Sequence, residues 1–165
     1  MMAVGRGVVS MLKRIGLLGL IVGCLLFAAC SQTAKEPVAC DALLTAIQTG
    51  QEFSDEMMPL DKKVAGKYLN IDLDQVRDFA MSMDASRYTA EQIVVLTAEN
   101  AQDADALLKA LTAYRDHVLD QYRDYEPAEV PKLESAVLRQ SGAQVALIVS
   151  SDADAAAAAL DKAWK

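Results

Sequence analysis

Apolar positions along this chain change their spacing several times, and each spacing predicts an element. Residues 15–27 read IGLLGLIVGCLLF, apolar without interruption. That run falls short of the roughly 20 apolar residues a helix needs to span a bilayer. Residues 31–37, SQTAKEP, are polar and end at Pro37. From there the spacing becomes helical. Ala39, Leu43, Ala46 and Ile47 recur on one helical face and Gly50 supplies a stop, which predicts a helix over 38–49. Residues 51–58 are polar and read as a loop. Pro59 suits a first helical turn, and Leu60, Val64 and Tyr68 follow at steps of four, which predicts a second helix.

The period then drops to two. Phe79, Met81 and Met83 alternate with Ala80, Ser82 and Asp84, the pattern of a half-buried strand over 76–84. Ile93, Val94, Val95, Leu96 and Thr97 form a β-rich run within 92–98, a second strand. The two are expected to pair as a hairpin across residues 84–90. Asn100 is placed to cap a helix, and Asp103 adds negative charge to its first turn. That helix, the longest, is predicted over 101–125. Its stripe is Ala104, Leu107, Leu111, Tyr114, Val118, Tyr122 and Tyr125, and Pro127 ends it. A shorter helix is expected over 128–139, packing Val130, Leu133 and Val137 and stopped by Ser141 and Gly142. Residues 144–150 contain VALIV, apolar on both faces, a third strand that is central or well covered. Ser151 and Asp154 have capping-box spacing at the start of a last helix, with Trp164 as a late anchor. Strands with helices grouped between them predict an α+β fold. The expected form is a small three-stranded, mainly antiparallel sheet packed against several helices and preceded by a signal-peptide helix.

Charge divides the chain. It holds 16 basic and 23 acidic residues. Three of the basic ones, Arg6, Lys13 and Arg14, lie in the first 29 residues, which hold no acid; from Cys30 onward 13 basic residues face 23 acidic ones, a net charge of −10. That body repels nucleic-acid phosphates, so no nucleic-acid partner is expected. The basic start, the apolar run, and Ala28 and Ala29 have the three parts of an export signal. LFAAC at 26–30 resembles the bacterial lipobox, with Phe27 where a branched aliphatic is usual. The resemblance implies a diacylglyceryl group on Cys30 and cleavage before it. IVGC at 21–24 fits the letters slightly better, but a cut before Cys24 leaves LLFAA at the new terminus, whereas a polar tether follows Cys30. Two acyl chains, at about 0.8 kcal/mol per buried methylene, make a stable anchor. The expected partner is therefore a membrane, reached through lipid on Cys30. The expected location is the outer face of the cytoplasmic membrane, or an outer membrane. An uncleaved signal anchor, or plain secretion, is the alternative. The chain divides into a signal peptide (1–29), a lipidated tether (30–37) and a single α+β domain (38–165).

Four segments of that domain have a further resemblance: YLNID (68–72), AEQIVVLTAEN (90–100), QYRDYEPAEVPKL (121–133) and GAQVALIVSSDADAA (142–156). The pattern is similar to a family of small bacterial lipoproteins known as domain of unknown function 4358. The resemblance implies an exported or surface lipoprotein of α+β type. It brings no activity and no functional residues.

Candidate chemistry is sparse. With Cys24 removed and Cys30 lipidated, Cys40 has no partner, so no disulfide framework is expected. One histidine and no cysteine pair at ligand spacing give no zinc site, and no cofactor is expected. The motifs of serine hydrolases, zinc peptidases and phosphate loops are missing, and no catalytic residue is assigned. His117, between Asp116 and Asp120 on the long helix, reads as a polar flank residue rather than an oriented general base. Asp72, Asp74 and Asp78 read as a solvated turn; the glycine and distal glutamate of a calcium loop are missing. Tyr114, Tyr122 and Tyr125 read as core residues at helical spacing, with hydroxyls reaching the surface. Arg87 and Tyr88 occupy the loop between the first two predicted strands and are of the types that interfaces favour, which makes them the candidate interaction residues. The expected function is a non-enzymatic binding or interaction module of the cell envelope, with an envelope protein or cell-wall component as partner. The alternatives are a solute- or ligand-binding lipoprotein, and an envelope hydrolase using carboxylates and His117.

Overall fold

A computed structural model describes residues 36–165; the export segment, Cys24 and Cys30 lie outside the described residues. In chain order the elements are α1 (Cys40–Thr49), β1 (Met57–Pro59), α2 (Lys62–Leu69), β2 (Asp78–Asp84), β3 (Gln92–Thr97), α3 (Ala101–Tyr125), α4 (Val130–Glu134), β4 (Val137–Ser141), β5 (Gln144–Val149) and α5 (Ala153–Ala163). Short 3-10 turns occupy Leu73–Gln75 and Pro127–Glu129.

The fold is α+β, but its sheet has five strands, not three. Their order is β1-β2-β3-β5-β4, every pairing antiparallel. The two additional strands are the edges. β1 lies where the polar stretch 51–58 reads as a loop, and it takes in Pro59, which an edge strand tolerates because no ladder bond need come from its nitrogen. β4 replaces the second half of the helix expected over 128–139. Val137 continues the spacing of Val130 and Leu133, yet α4 stops at Glu134 and Val137 starts a strand.

Helices cover both faces of this sheet. On one face Met81, Val94, Leu96, Val145, Leu147 and Val149 pack against Ala65 and Leu69 of α2, Ala104, Leu111 and Tyr114 of α3, and Leu133. On the other, Ala80, Ile93, Val95, Ala146 and Ile148 pack against Cys40, Leu43 and Ile47 of α1 and Ala156 and Leu160 of α5. β3 and β5 are therefore buried at every position. β2 is buried on both faces at Ala80, Met81 and Ser82, rather than half-buried as its alternation suggests.

Capping fixes the helix starts. Asn100 Oδ1 accepts from the Asp103 amide at 2.9 Å and opens α3. α2 begins after Asp61, whose carboxylate accepts from the Val64 amide, and not at Pro59. Its buried stripe is Ala65 and Leu69, while Val64 and Tyr68 are exposed. α5 is capped by Asp152, which accepts from the Ala155 amide, and not by Ser151. Among the described residues no helix is long and apolar enough to cross a membrane.

The β4–β5 hairpin turns through Gly142, which has φ +56 and open space around it. A left-handed backbone costs an L residue about 1–2 kcal/mol. Gly142→Ala is accordingly expected to lower stability by about that amount without a steric clash, as measured by equilibrium urea unfolding.

Candidate functional site

The segment joining β2 to β3 is organised by one carboxylate. Asp84, 1% exposed, ends β2 and accepts from the Ser86 amide (2.8 Å), the Ser86 hydroxyl (2.8 Å), the Thr89 amide (2.8 Å) and the Thr89 hydroxyl (2.9 Å). Burial pushes this carboxyl up, but the bonds from Thr89 and Ser86 outweigh it and hold it below the usual carboxylate range. The loop wrapped on Asp84 carries Arg87 in the left-handed region, φ 61. Few side chains other than glycine, asparagine or aspartate adopt that conformation. The Arg87 guanidinium stands 6.0 Å from the centre of the Tyr68 ring on α2, within cation–π range.

This loop, the end of α2 and the middle of α3 enclose an open cleft of about 350 Å³. Lys67 and Tyr68 form one wall, and Arg87, Thr89 and Gln92 a second. Tyr114, His117, Val118, Gln121 and Tyr122 contribute the third, from successive turns of α3. Two wall tyrosines are fixed by their hydroxyls. Tyr114 donates to Gln92 Oε1 at 2.7 Å, and Tyr122 donates to the Thr89 carbonyl at 2.8 Å. Burial pushes the Tyr122 phenol up to about 12, helped by the nearby negative charges of Glu129 and Asp84, so it remains a donor. Tyr114 is pushed up further, mainly by burial.

The floor behind Ala90 is ionic. The Glu91 side chain is fully buried. It accepts from the Ser54 amide at 2.6 Å, the Ser54 hydroxyl at 2.9 Å and Lys132 Nζ at 3.2 Å. Lys132 also pairs with Glu129 at 3.0 Å, and Glu129 accepts from the Ala90 amide. One ammonium thus serves two carboxylates, and together they tie the start of β3 to α4 and to the approach to β1.

The residues singled out from the sequence fall in different places. Arg87 and His117, 30 positions apart in sequence, line the same cleft with Tyr114 and Tyr122. Tyr88 does not line it and is 70% exposed. Tyr125 is also exposed and meets Tyr122 edge-on at 6.0 Å. The tyrosine row is therefore not one core stripe: Tyr114 is buried, Tyr122 half-buried and Tyr125 outside. No hydrogen bond joins His117 to a carboxylate; Asp116 pairs with Arg115 and Asp120 with Arg123. The three aspartates diverge. Asp72 caps the 3-10 turn, Asp74 pairs with Lys62 at 2.8 Å, and Asp78 accepts from the Cys40 amide. Among the described residues no three His, Cys, Asp or Glu side chains are grouped to hold a metal. Burial pushes the Cys40 thiol up to about 12. It stays protonated against Thr97 Oγ1 and is a poor nucleophile. Lys67, Gln92 and Gln121 carry no signal in the sequence that marks them for the cleft.

Fold and site together define a class: an α+β domain, helices on both faces of an antiparallel sheet, with an open aromatic and polar cleft beside its long helix. The family model described as Domain of unknown function (DUF4358) matches residues 51–150, and the chain belongs to that family. The matched span contains every residue lining the cleft, while α1 and α5, which cover the opposite face of the sheet, fall outside it. No curated protein and no solved structure matches the chain.

Proposed function

We propose that this protein is an exported lipoprotein, held on an envelope membrane by lipid on Cys30, whose domain captures a small ligand in the cleft between α2, α3 and the β2–β3 loop. The convergence of polar and aromatic side chains on that cleft carries the reading. Its volume, about 350 Å³, falls in the range of small-molecule sites. A flat exposed surface around Arg87 would favour a protein partner instead. The export signal, the lipobox-like LFAAC and the polar tether after Cys30 support the anchor. A protein partner is the second reading, favoured by Tyr88 and Tyr125, which stand 70% and 64% exposed beside the cleft-forming segments. The hydrolase reading has less support, because nothing orients His117.

The anchor has a direct test. Cells grown with labelled palmitate are expected to label the wild-type protein and Cys24→Ala, and to leave Cys30→Ala unlabelled. Label that survives in Cys30→Ala and disappears in Cys24→Ala contradicts the assigned site.

A further inference from the structure

We infer that the ligand of this cleft carries an anionic group, a carboxylate or a phosphate, on an aromatic or apolar body, with Arg87 and Lys67 as the residues that recognise the anion. The inference rests on the ligand-binding reading above. Its starting point is a local reversal of charge. From Cys30 onward the chain carries a net charge of −10, yet its cleft is lined by two cations without acidic partners and by one acid, Glu91, which is paired with Lys132. Arg77, Arg115, Arg123 and Arg139 each hold a carboxylate. Arg87 is the one arginine among the described residues that holds none. Lys67, on the opposite wall, is likewise without an ion pair.

The neighbouring acids make their direct contacts elsewhere, and none of them pairs with Arg87 or Lys67. Lys132 pairs with both Glu91 and Glu129. Asp84 spends its oxygens on Ser86 and Thr89. Asp116 and Asp120, flanking His117 in sequence, pair with arginines on their own helix. The Asp84-centred loop fixes the Arg87 backbone at φ 61, and the Tyr68 ring stands 6.0 Å from its guanidinium, at the edge of cation–π range. A planar guanidinium positioned in this way suits the paired oxygens of a carboxylate or phosphate. The rest of the cleft asks for something other than a bare ion. Tyr68, Tyr114, Tyr122, Met83 and Val118 offer ring faces and aliphatic surface beside the two cations.

The test is an NMR titration of the full-length protein in detergent micelles with four probes: benzoate, phenyl phosphate, inorganic phosphate and the uncharged benzyl alcohol. Benzoate or phenyl phosphate is expected to shift amides around the cleft and to bind about tenfold more tightly than benzyl alcohol, as one charge-assisted contact implies. The ratio of those two affinities assigns the anion as carboxylate or phosphate. Inorganic phosphate alone is expected to bind more weakly than phenyl phosphate. Arg87→Gly, which keeps the left-handed turn and removes the guanidinium, should weaken the anionic probe about tenfold. Lys67→Ala should weaken it several-fold, and Arg123→Ala, at a paired surface arginine, should leave it unchanged. Benzyl alcohol binding the cleft as tightly as benzoate and phenyl phosphate overturns the anion inference and leaves the ligand-binding reading standing. Equal affinity in Arg87→Gly and the wild type also overturns it. Shifts confined to other surfaces, or no binding by any probe, overturn both.

Discussion

Lys132→Met is expected to lower the folding free energy by about 3–5 kcal/mol, the cost of leaving buried charge without its counter-ion. The aliphatic stem is largely preserved in methionine, so the loss is that of the ammonium. Glu91 is fully buried and has no water to turn to; once Lys132 Nζ is gone, its negative charge keeps only the Ser54 donors. Glu129, hydrogen-bonded to the Ala90 amide, loses the same cation. The double variant Lys132→Met, Glu91→Gln should recover part of the loss, because the uncompensated charge is removed along with its partner. The pH dependence has a definite sign. Burial pulls the Lys132 ammonium down, but hydrogen bonds to Glu129 and Glu91 and their charges more than reverse this, so its folded pKa lies above the ordinary 10.5. A raised pKa in the folded state contributes stability that is fully present below 10.5 and fades as pH rises through the folded value. Urea unfolding of the two proteins should therefore differ by a constant amount at neutral pH and converge in strong alkali.

The second large effect is expected at Asp84. Asp84→Ala removes the acceptor shared by two backbone amides and two hydroxyls, a loss of about 2–3 kcal/mol. Asp84→Asn, which keeps one good acceptor, should lose less. The consequence for the cleft is larger than the consequence for the fold. Without its hub the loop no longer holds Arg87 at φ 61 or Thr89 against the Tyr122 hydroxyl, so residues 85–89 should become accessible to limited proteolysis while the sheet stays intact. Here the pH sign is opposite. The folded pKa of Asp84 is depressed, so its contribution is present above the ordinary 3.8 and lost as pH falls through the folded value. The wild type should keep its advantage over Asp84→Asn down to about that pH and lose it below.

Much of the frame was legible along the chain, and the reasons for the exceptions are physical. β3 and β5 are buried by their own composition, α3 shows its apolar stripe at helical spacing, and Asn100 marks the start of α3 with a side chain that caps it. The edge strands are not marked in this way. β1 has three residues, one of them proline, and derives its existence from the ladder with β2. β4 carries Arg139, Gln140 and Ser141, a polar sequence that reads as a helix end until Leu138 and Arg139 are seen opposite Leu147 and Ala146. The cleft was less legible than the fold because it is assembled from three segments, near 67, 87 and 117, each ordinary alone. The unusual backbone at Arg87 leaves no trace in its letter code, since arginine is not a residue chosen for positive φ. What the sequence could offer was the residue type in an exposed loop. The sheet and Asp84 then decide that Arg87 faces a cavity with Tyr68 and His117, while the adjacent Tyr88 stays outside it.

The claim that the cleft captures a small molecule, rather than serving as part of a protein contact, is tested most directly in living cells. A photo-crosslinking amino acid is placed at Gln121, on the exposed lip of the cleft, and separately at Tyr88, outside it. After illumination the full-length lipoprotein is purified and its intact mass measured. A small-molecule mass added at position 121 and absent at position 88 is the predicted result. A crosslinked protein chain captured at both positions, with no small-molecule adduct at 121, would contradict it.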